Sequence, residues 1–263
     1  MTIQFSKYQG AGNDFIIIDC RKNKHELTEK YIQFLCNRRF GIGADGLMTI
    51  HNSTDTDFAM KYYNSDGKEA SMCGNGGRCI ARYAFNNNIA KDNMVFSAID
   101  GTHSAYVKNN YIELSMADVE DVKQLKDGFF LNTGSPHFIK IVNDISQIDV
   151  RAEGLKLAND KRFAPDRTNV DFIDIKDDKI RIATYERGVE NETLACGTGA
   201  VAAAIVLFKY NFIKKTSVSI NAKGGVLIVS FKKSTKKFAN IILSGPAEKV
   251  FNGTIEVVPI VNM

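Results

Sequence analysis

Hydrophobic and polar residues alternate with two different periods along this chain, and each change of period marks an element. Ile3 to Lys7 and Phe15 to Asp19 read as strands on either side of a Gly10-Ala11-Gly12-Asn13 turn. Thr28 to Phe40 carries a helical pattern, with Thr28 at the N-cap and Glu29 in the first turn. Strands follow at Leu47 to His51 and Phe58 to Tyr63, then a helix at Gly76 to Asn86. Val95 to Ala98, His103 to Val107 and Tyr111 to Met116 form a meander, punctuated by Asp100-Gly101 and Asn109-Asn110. The order then recurs. A strand at Phe138 to Val142 leads to a helix near Val150 to Lys156, strands at Val170 to Ile175 and Ile180 to Tyr185, and a helix at Gly199 to Tyr210. Strands at Val218 to Asn221, Val226 to Phe231 and Phe238 to Ser244 complete the second round.

The recurrence extends to residue identity. At an offset of 123 residues (196 − 73), Tyr62 falls on Tyr185, Glu69 on Glu192, Cys73 on Cys196, Gly74 on Gly197 and Gly76 on Gly199. Glu-x-x-x-Cys-Gly-x-Gly therefore occurs twice, each time between a strand and an apolar helix, and with one gap Gly12-Asn13 falls on Gly134-Ser135. This is the signature of a duplicated unit with a pseudo-twofold relation. It predicts two domains of mixed α/β (α+β) character. The first spans residues 1–117, joined by a returning C-terminal strand at 248–263, and the second spans 118–247, with the acidic, polar stretch Ala117 to Gly128 at the boundary.

Composition narrows the functions available. With 34 basic and 30 acidic residues the net charge is +4, too balanced and too dispersed for a nucleic-acid partner. The longest apolar run, Ala200 to Phe208, falls short of the roughly 20 residues that span a bilayer, so no membrane partner is expected. Met1 to Asp19 lacks a basic segment followed by an apolar run, which points to the cytoplasm. The five cysteines (Cys20, Cys36, Cys73, Cys79, Cys196) are odd in number and lack zinc-ligand spacing, so neither a disulfide framework nor a metal is expected. Gly41 to Gly46 matches G-x-G-x-x-G literally, but follows a helix and precedes a strand, the reverse of a dinucleotide-binding turn.

The repeated motif has chemistry of its own. Each of Cys73 and Cys196 lies just ahead of a helix, where free N–H groups and the positive end of the macrodipole favour thiolate and can also hold a carboxylate. Glycines at 74, 76, 197 and 199 let backbone approach a ligand closely. Two such thiols on one amino acid could remove an α-proton and return one to the opposite face, which is stereoinversion by two-base catalysis. Glu69 and Glu192 are expected to hydrogen-bond backbone near the helix starts. Arg78 and Arg82 share one helix face, as solvated or carboxylate-paired residues, and Cys20, Cys36 and Cys79 are expected as buried apolar side chains.

Three motifs carry a resemblance: Gly10 to Phe15, Met72 to Cys79, and Glu186-Arg187-Gly188 running to Ala195 through Gly199. Over essentially the whole chain the sequence resembles the diaminopimelate epimerase family. The resemblance implies two domains, each a rolled, mostly antiparallel sheet around a central helix, with the site in the cleft between them, and a homodimer. It implies a cofactor-independent interconversion of LL- and meso-2,6-diaminopimelate, on the way to lysine and peptidoglycan precursors. By motif, Cys73 and Cys196 are implied as the catalytic bases. Gly74-Asn75 and Gly197-Thr198 are implied to hold the α-carboxylate at the reacting centre, and Asn13, Asn64, Asn169, Glu186 and Arg187 to bind substrate, with Arg187 the partner of the far carboxylate. His137 and Glu186 are implied to tune the thiols.

The chain departs from the family pattern in three places. Gly46 stands where many members have Gln, Ser135 stands where many have Asn, and Val189-Glu190-Asn191 holds one residue more than some members have. The competing readings are a proline or hydroxyproline racemase on the same fold, against which Arg187 and the asparagines favour a substrate with a second charged end, and a thiol redox or binding protein.

Overall fold

The computed structural model describes residues 2–22 and 27–256. The chain divides into two compact units, one formed by residues up to Leu114 together with the segment from Pro246, the other by Ser115–Gly245. The first contains β1 (Thr2–Gly10), β2 (Asn13–Asp19), α1 (Glu29–Cys36), β3 (Gly46–His51), β4 (Phe58–Asn64), β5 (Glu69–Ala70), α2 (Gly74–Asn86), β6 (Asn93–Ala98), β7 (Gly101–Lys108) and the greater part of β8 (Tyr111–Met116), which runs across the boundary. The second contains β9 (Lys123–Leu125), β10 (Gly128–Asn132), β11 (Pro136–Ile141), α3 (Val150–Ala158), β12 (Asn169–Lys176), β13 (Lys179–Glu186), β14 (Asn191–Thr193), α4 (Gly197–Lys209), β15 (Ser217–Ala222), β16 (Gly225–Lys233) and β17 (Phe238–Pro246).

The strand pairings repeat one for one. In the first unit β2 runs parallel to β3, β3 antiparallel to β4, β4 antiparallel to β5 and parallel to β6, and β6 antiparallel to β7. In the second, β11, β12, β13, β14, β15 and β16 pair in the same order and senses. The fold is the expected α+β arrangement of two pseudo-symmetric domains, each a mostly antiparallel sheet around a central helix. The final strand, Glu248–Glu256, returns to pair antiparallel with β1. The expected continuation of this strand beyond residue 256, and His25, lie outside the described residues.

Side-chain alternation gives each sheet two faces. Ile16, Ile18 and Leu47 point to α1 and pack on Ile32, Leu35 and Cys36. Phe138, Val170, Phe172, Ala183 and Tyr185 point to α3 and pack on Val150, Leu157 and Ala158. The opposite faces receive α2, which packs against β1, β2, β3 and β7, and α4, which packs against β10 to β13, β15 and β16. Ala200 through Leu207 of α4 are all buried, which accounts for a helix that is apolar all round. Burying each of Val201, Ile205 and Leu207, all 0% exposed, contributes about 1.5–3 kcal/mol.

Several expected elements change on folding. The helix expected over 28–40 stops at Cys36, because Asn37 Oδ1 accepts from the Arg39 and Phe40 N–H groups at 2.9 Å each and diverts the backbone into a turn. Thr28 is the N-cap, as expected. The short strands β5, β9, β10 and β14 were not foreseen. Sheet register also corrects the repeat. Leu47 stands opposite Tyr63 and Val170 opposite Tyr185, so Tyr63, not Tyr62, matches Tyr185. The gap-free offset slides this strand by one residue and so puts the wrong side chain on the inner face.

Candidate active site

Both cysteines of the repeat are helix N-caps. Cys73 caps α2 and accepts from the Gly76 N–H at 3.2 Å, and Cys196 caps α4. The helices thus begin two residues earlier than the sequence pattern suggests, and Gly74 and Gly197 are their first residues. The first N–H groups of an α-helix have no intrahelical acceptor, so each cysteine stands beside donors able to bind an oxyanion. Small residues are required here. A Cβ on Gly76 would lie 3.2 Å from Cys73 Sγ, and one on Gly199 would lie 2.5 Å from Asp171 Oδ1.

In the first unit Asn13 and Asn75 meet beside this helix start. Asn75 Nδ2 donates to Asn13 Oδ1 at 3.2 Å, and Asn13 Nδ2 donates to Asp45 Oδ2 at 2.6 Å. Asn75 Oδ1 accepts from Arg78 Nη2 at 2.7 Å, and Arg78 Nη1 reaches Gly74 O at 3.1 Å. Arg78 is 0% exposed, contrary to the solvated or carboxylate-paired role expected of it, and its remaining bond runs to the Pro246 carbonyl. Burial lowers its guanidinium to about 10, opposed by the sulfurs of Cys79 and Cys73. Behind Asn13, Asp14 takes ion pairs from Lys7 at 2.8 Å and Arg38 at 2.7 Å. Burial alone would raise the Asp14 carboxyl, but these two cations hold it at about 2.

Asn64 closes β4 opposite Gly46. A Cβ on Gly46 would come within 2.7 Å of Tyr62 Cε2 and 2.8 Å of the Tyr63 carbonyl, so the Tyr62 ring occupies the space a side chain there would need.

In the second unit the floor under the helix start is polar. His137 Nδ1 donates to Asp171 Oδ2 at 2.6 Å, and Thr184 Oγ1 donates to Asp171 Oδ1 at 2.6 Å. His137 Nε2 lies 2.9 Å from Thr198 Oγ1, which lies 3.3 Å from Cys196 Sγ. Burial would push the His137 imidazole down, but the Asp171 carboxylate and the Cys196 sulfur outweigh it and raise it well above its ordinary value. Asn169 Oδ1 accepts from the Arg187 N–H at 3.1 Å, and its Nδ2 faces His137 Nε2 at 3.4 Å. The Arg187 guanidinium donates to the Asp166 carbonyl. Glu186 ends β13, half-buried, and its carbonyl accepts from the Glu190 N–H at 2.9 Å. The loop with the additional residue is anchored. Glu190 takes two bonds of 2.8 Å from Arg167 and one of 2.6 Å from Tyr185 Oη. Ser135 uses its carbonyl to accept from Thr133, whose hydroxyl donates to Thr198 O at 2.9 Å.

A sequence profile described as diaminopimelate epimerase matches residues 5–120 and 129–250. The chain is 47% identical over 255 residues to the diaminopimelate epimerase of Flavobacterium psychrophilum, covering 95% of this chain and 98% of that one. The chain belongs to the diaminopimelate epimerase family. The diaminopimelate epimerase of Chlorobaculum tepidum is 42% identical, covering 94% and 98% of the two chains. Among solved structures, a Bacillus anthracis phenazine biosynthesis protein of the PhzF family has a TM-score of 0.78 at 14% identity, covering 98% of this chain and 100% of that one. A hydroxyproline epimerase from Agrobacterium vitis has a TM-score of 0.67 at 13% identity, covering 97% and 91%. At such identities these two share the fold alone.

Register places the family's candidate residues at matched positions. Phe15 stands opposite Gly46 and His137 opposite Asn169, so Gly46 matches Asn169, Asn64 matches Glu186, Asn13 matches Ser135 and Asn75 matches Thr198. Three residues of this site escaped the sequence reading. Asp171 and Thr184 lie on strands that read as core, and only the acidic residue in Asn-Val-Asp-Phe-Ile hinted at a buried charge. Arg78 looked like a surface residue on an amphipathic helix. The helix-start role expected of Glu192 is not observed, since its carboxylate pairs with Lys223 Nζ at 3.2 Å. Cys20, Cys36 and Cys79 are buried, as expected.

Proposed function

We propose that Cys73 and Cys196 are the acid/base pair of this chain's epimerase reaction. The chain is an isomerase that interconverts LL- and meso-2,6-diaminopimelate. The observation that carries the assignment of the pair is the duplication itself. Of the five cysteines, these two cap the central helix of their unit and sit among N–H donors able to hold a carboxylate.

In this reading the α-carboxylate binds the N–H groups of Gly74-Asn75 and Gly197-Thr198. One thiolate takes the α-proton as the other thiol delivers a proton to the opposite face. The carbanion that develops is stabilised by helix N-termini that are already oriented and need no reorganisation. Asn13, Asn64, Asn169 and Glu186 bind the substrate. Arg187, a fixed fork of donors, suits the far carboxylate. His137 and Glu186 tune the thiols. A place in lysine and peptidoglycan precursor synthesis, a cytoplasmic address and a homodimer are part of the same reading. In support of the address, no helix among the described residues is long and apolar enough to cross a membrane.

Incubation with LL-diaminopimelate and with L-proline in deuterated water tests the reaction. Deuterium is expected to enter diaminopimelate at the inverted carbon; entry into proline alone would overturn the assignment. Cys73→Ala and Cys196→Ala are each expected to abolish inversion, and full activity in either would exclude the two-base scheme. Light scattering tests the dimer.

A further inference from the structure

The hairpin that carries Glu186 and Arg187 is held by an arrangement that costs free energy. Glu186 of β13 pairs with Asn191 of β14, so residues 187–190 form the hairpin tip. Exposed tips with few apolar contacts are ordinarily among the most mobile parts of a fold, and Val189 here is 56% exposed. This tip is tied down by one carboxylate. Glu190 accepts two bonds of 2.8 Å from Arg167, one of 2.6 Å from Tyr185 Oη and one of 2.9 Å from the Gly188 N–H. Its own N–H donates to the Glu186 carbonyl at 2.9 Å. These donors, Arg167 foremost, hold the Glu190 carboxyl down at about 2, so it is ionised near neutral pH.

Both members of the ion pair stand in left-handed backbone, Arg167 at φ 62° and Glu190 at φ 58°, a conformation that disfavours any residue with a Cβ. Arg167 Nε is also buried, with no acceptor among the described residues. Glycine at either position would relieve the backbone strain. Strain of this kind collects where geometry serves function. The bonds between the two segments show which geometry is served. Arg167 reaches from the segment ahead of β12 to the tip. Arg187 reaches from the tip back to that segment, its guanidinium donating to the Asp166 carbonyl and its N–H to Asn169 Oδ1 at 3.1 Å.

We propose that Arg167 and Glu190 are positioning residues that clamp the hairpin tip, so that the Arg187 guanidinium is held ready for the far carboxylate of the substrate. The clamp governs recognition of the second amino-acid end and leaves the proton transfers at the first end alone. It works by ordering a long, rotatable side chain before substrate arrives, which removes that ordering from the cost of binding. The inference rests on Arg187 being the partner of the far carboxylate.

Arg167→Gly is the test, since glycine keeps the left-handed backbone and removes the ion pair. KM for diaminopimelate is expected to rise about ten-fold while kcat stays within about two-fold. Tm should stay within about 3 °C of the parent, because relief of strain offsets loss of a half-exposed ion pair. An unchanged KM would overturn the proposal, and so would a kcat that falls as much as KM rises. Arg167→Lys keeps the charge but loses the two-pronged contact, so it should raise KM by less; it carries the test if Arg167→Gly fails to fold. In the double variant with Glu190→Gln, KM should rise by less than the product of the two single effects, since both act through one contact; independent effects would refute the clamp. Arg187→Ala separates the two levels of the argument. An unchanged KM there would sink the assignment of Arg187 itself. A raised KM there, beside an unchanged KM in Arg167→Gly, would sink the clamp alone.

Discussion

The same substitution at the two matched glycines should have unequal consequences. Gly76 and Gly199 are each the third residue of a central helix, so replacement by alanine recovers about 0.5–1 kcal/mol of helix propensity in either case. At Gly76 the new methyl meets Cys73 Sγ at 3.2 Å, Met48 Sδ at 3.3 Å and Phe15 Cε1 at 3.7 Å. Met48 is flexible at that end and can yield by a few tenths of an ångström. At Gly199 the methyl meets Asp171 Oδ1 at 2.5 Å, and that oxygen cannot yield without stretching its 2.6 Å bond from Thr184 and displacing the carboxylate that holds His137. Overpacking costs about 1–3 kcal/mol, and loosening the partners of a buried carboxylate adds about 1–3 kcal/mol. After the propensity gain, Gly199→Ala should destabilise by about 1–5.5 kcal/mol, centred near 3, and Gly76→Ala should stay within about 1 kcal/mol of the parent. Denaturant unfolding of both variants measures the difference, and thermal melting should separate them by about 5–10 °C. Equal stabilities, or a worse Gly76→Ala, would refute the reasoning. Activity should fall in both, since both methyls press on a cysteine-capped helix start.

Acid should strip the support behind Asn13. Asp14 is held at about 2, below its ordinary 3.8, so its contribution is present above pH 3.8 and lost as pH falls through about 2. Asp14→Asn should accordingly lie well below the parent in stability at pH 5 and converge with it near pH 2, and a constant gap would contradict this. Burial pushes the Cys36 thiol up to about 12 and the Cys79 thiol further still, so alkylating reagents at neutral pH should leave both unlabelled in the folded protein, as peptide mapping can check. Gly46→Gln should destabilise the protein and lower activity rather than add a substrate contact, because its Cβ would lie 2.7 Å from the Tyr62 ring; a variant with parental stability would show that the ring has room to move. Glu190→Gln should raise KM for diaminopimelate more than it lowers kcat, since Glu190 ties Arg167 and Tyr185 to the loop that carries Arg187.

Sequence by itself determined what repeats. The spacing of cysteine and glycine ahead of two apolar helices marked the duplicated unit, its element order and the two thiols, because helix starts and turns are local and leave their constraints in adjacent residues. Family motifs then marked Asn13, Asn64, Asn169, Glu186, Arg187 and His137. The tertiary structure decided where the repeat breaks. Which of two neighbouring tyrosines faces the central helix depends on a one-residue difference in hairpin length. Only the sheet register, which pairs Tyr63 with Leu47 and Tyr185 with Val170, resolves it. The same register puts His137, Asp171 and Thr184 where the other unit has Phe15, Met48 and Tyr62. These partners lie 13 to 34 residues apart along the chain, and their chemistry arises only when parallel and antiparallel strands bring them onto one face. Arg78 shows the same division, since its helical spacing suggested solvent and only packing against Gly74, Asn75 and Pro246 made it a buried cation near Cys73.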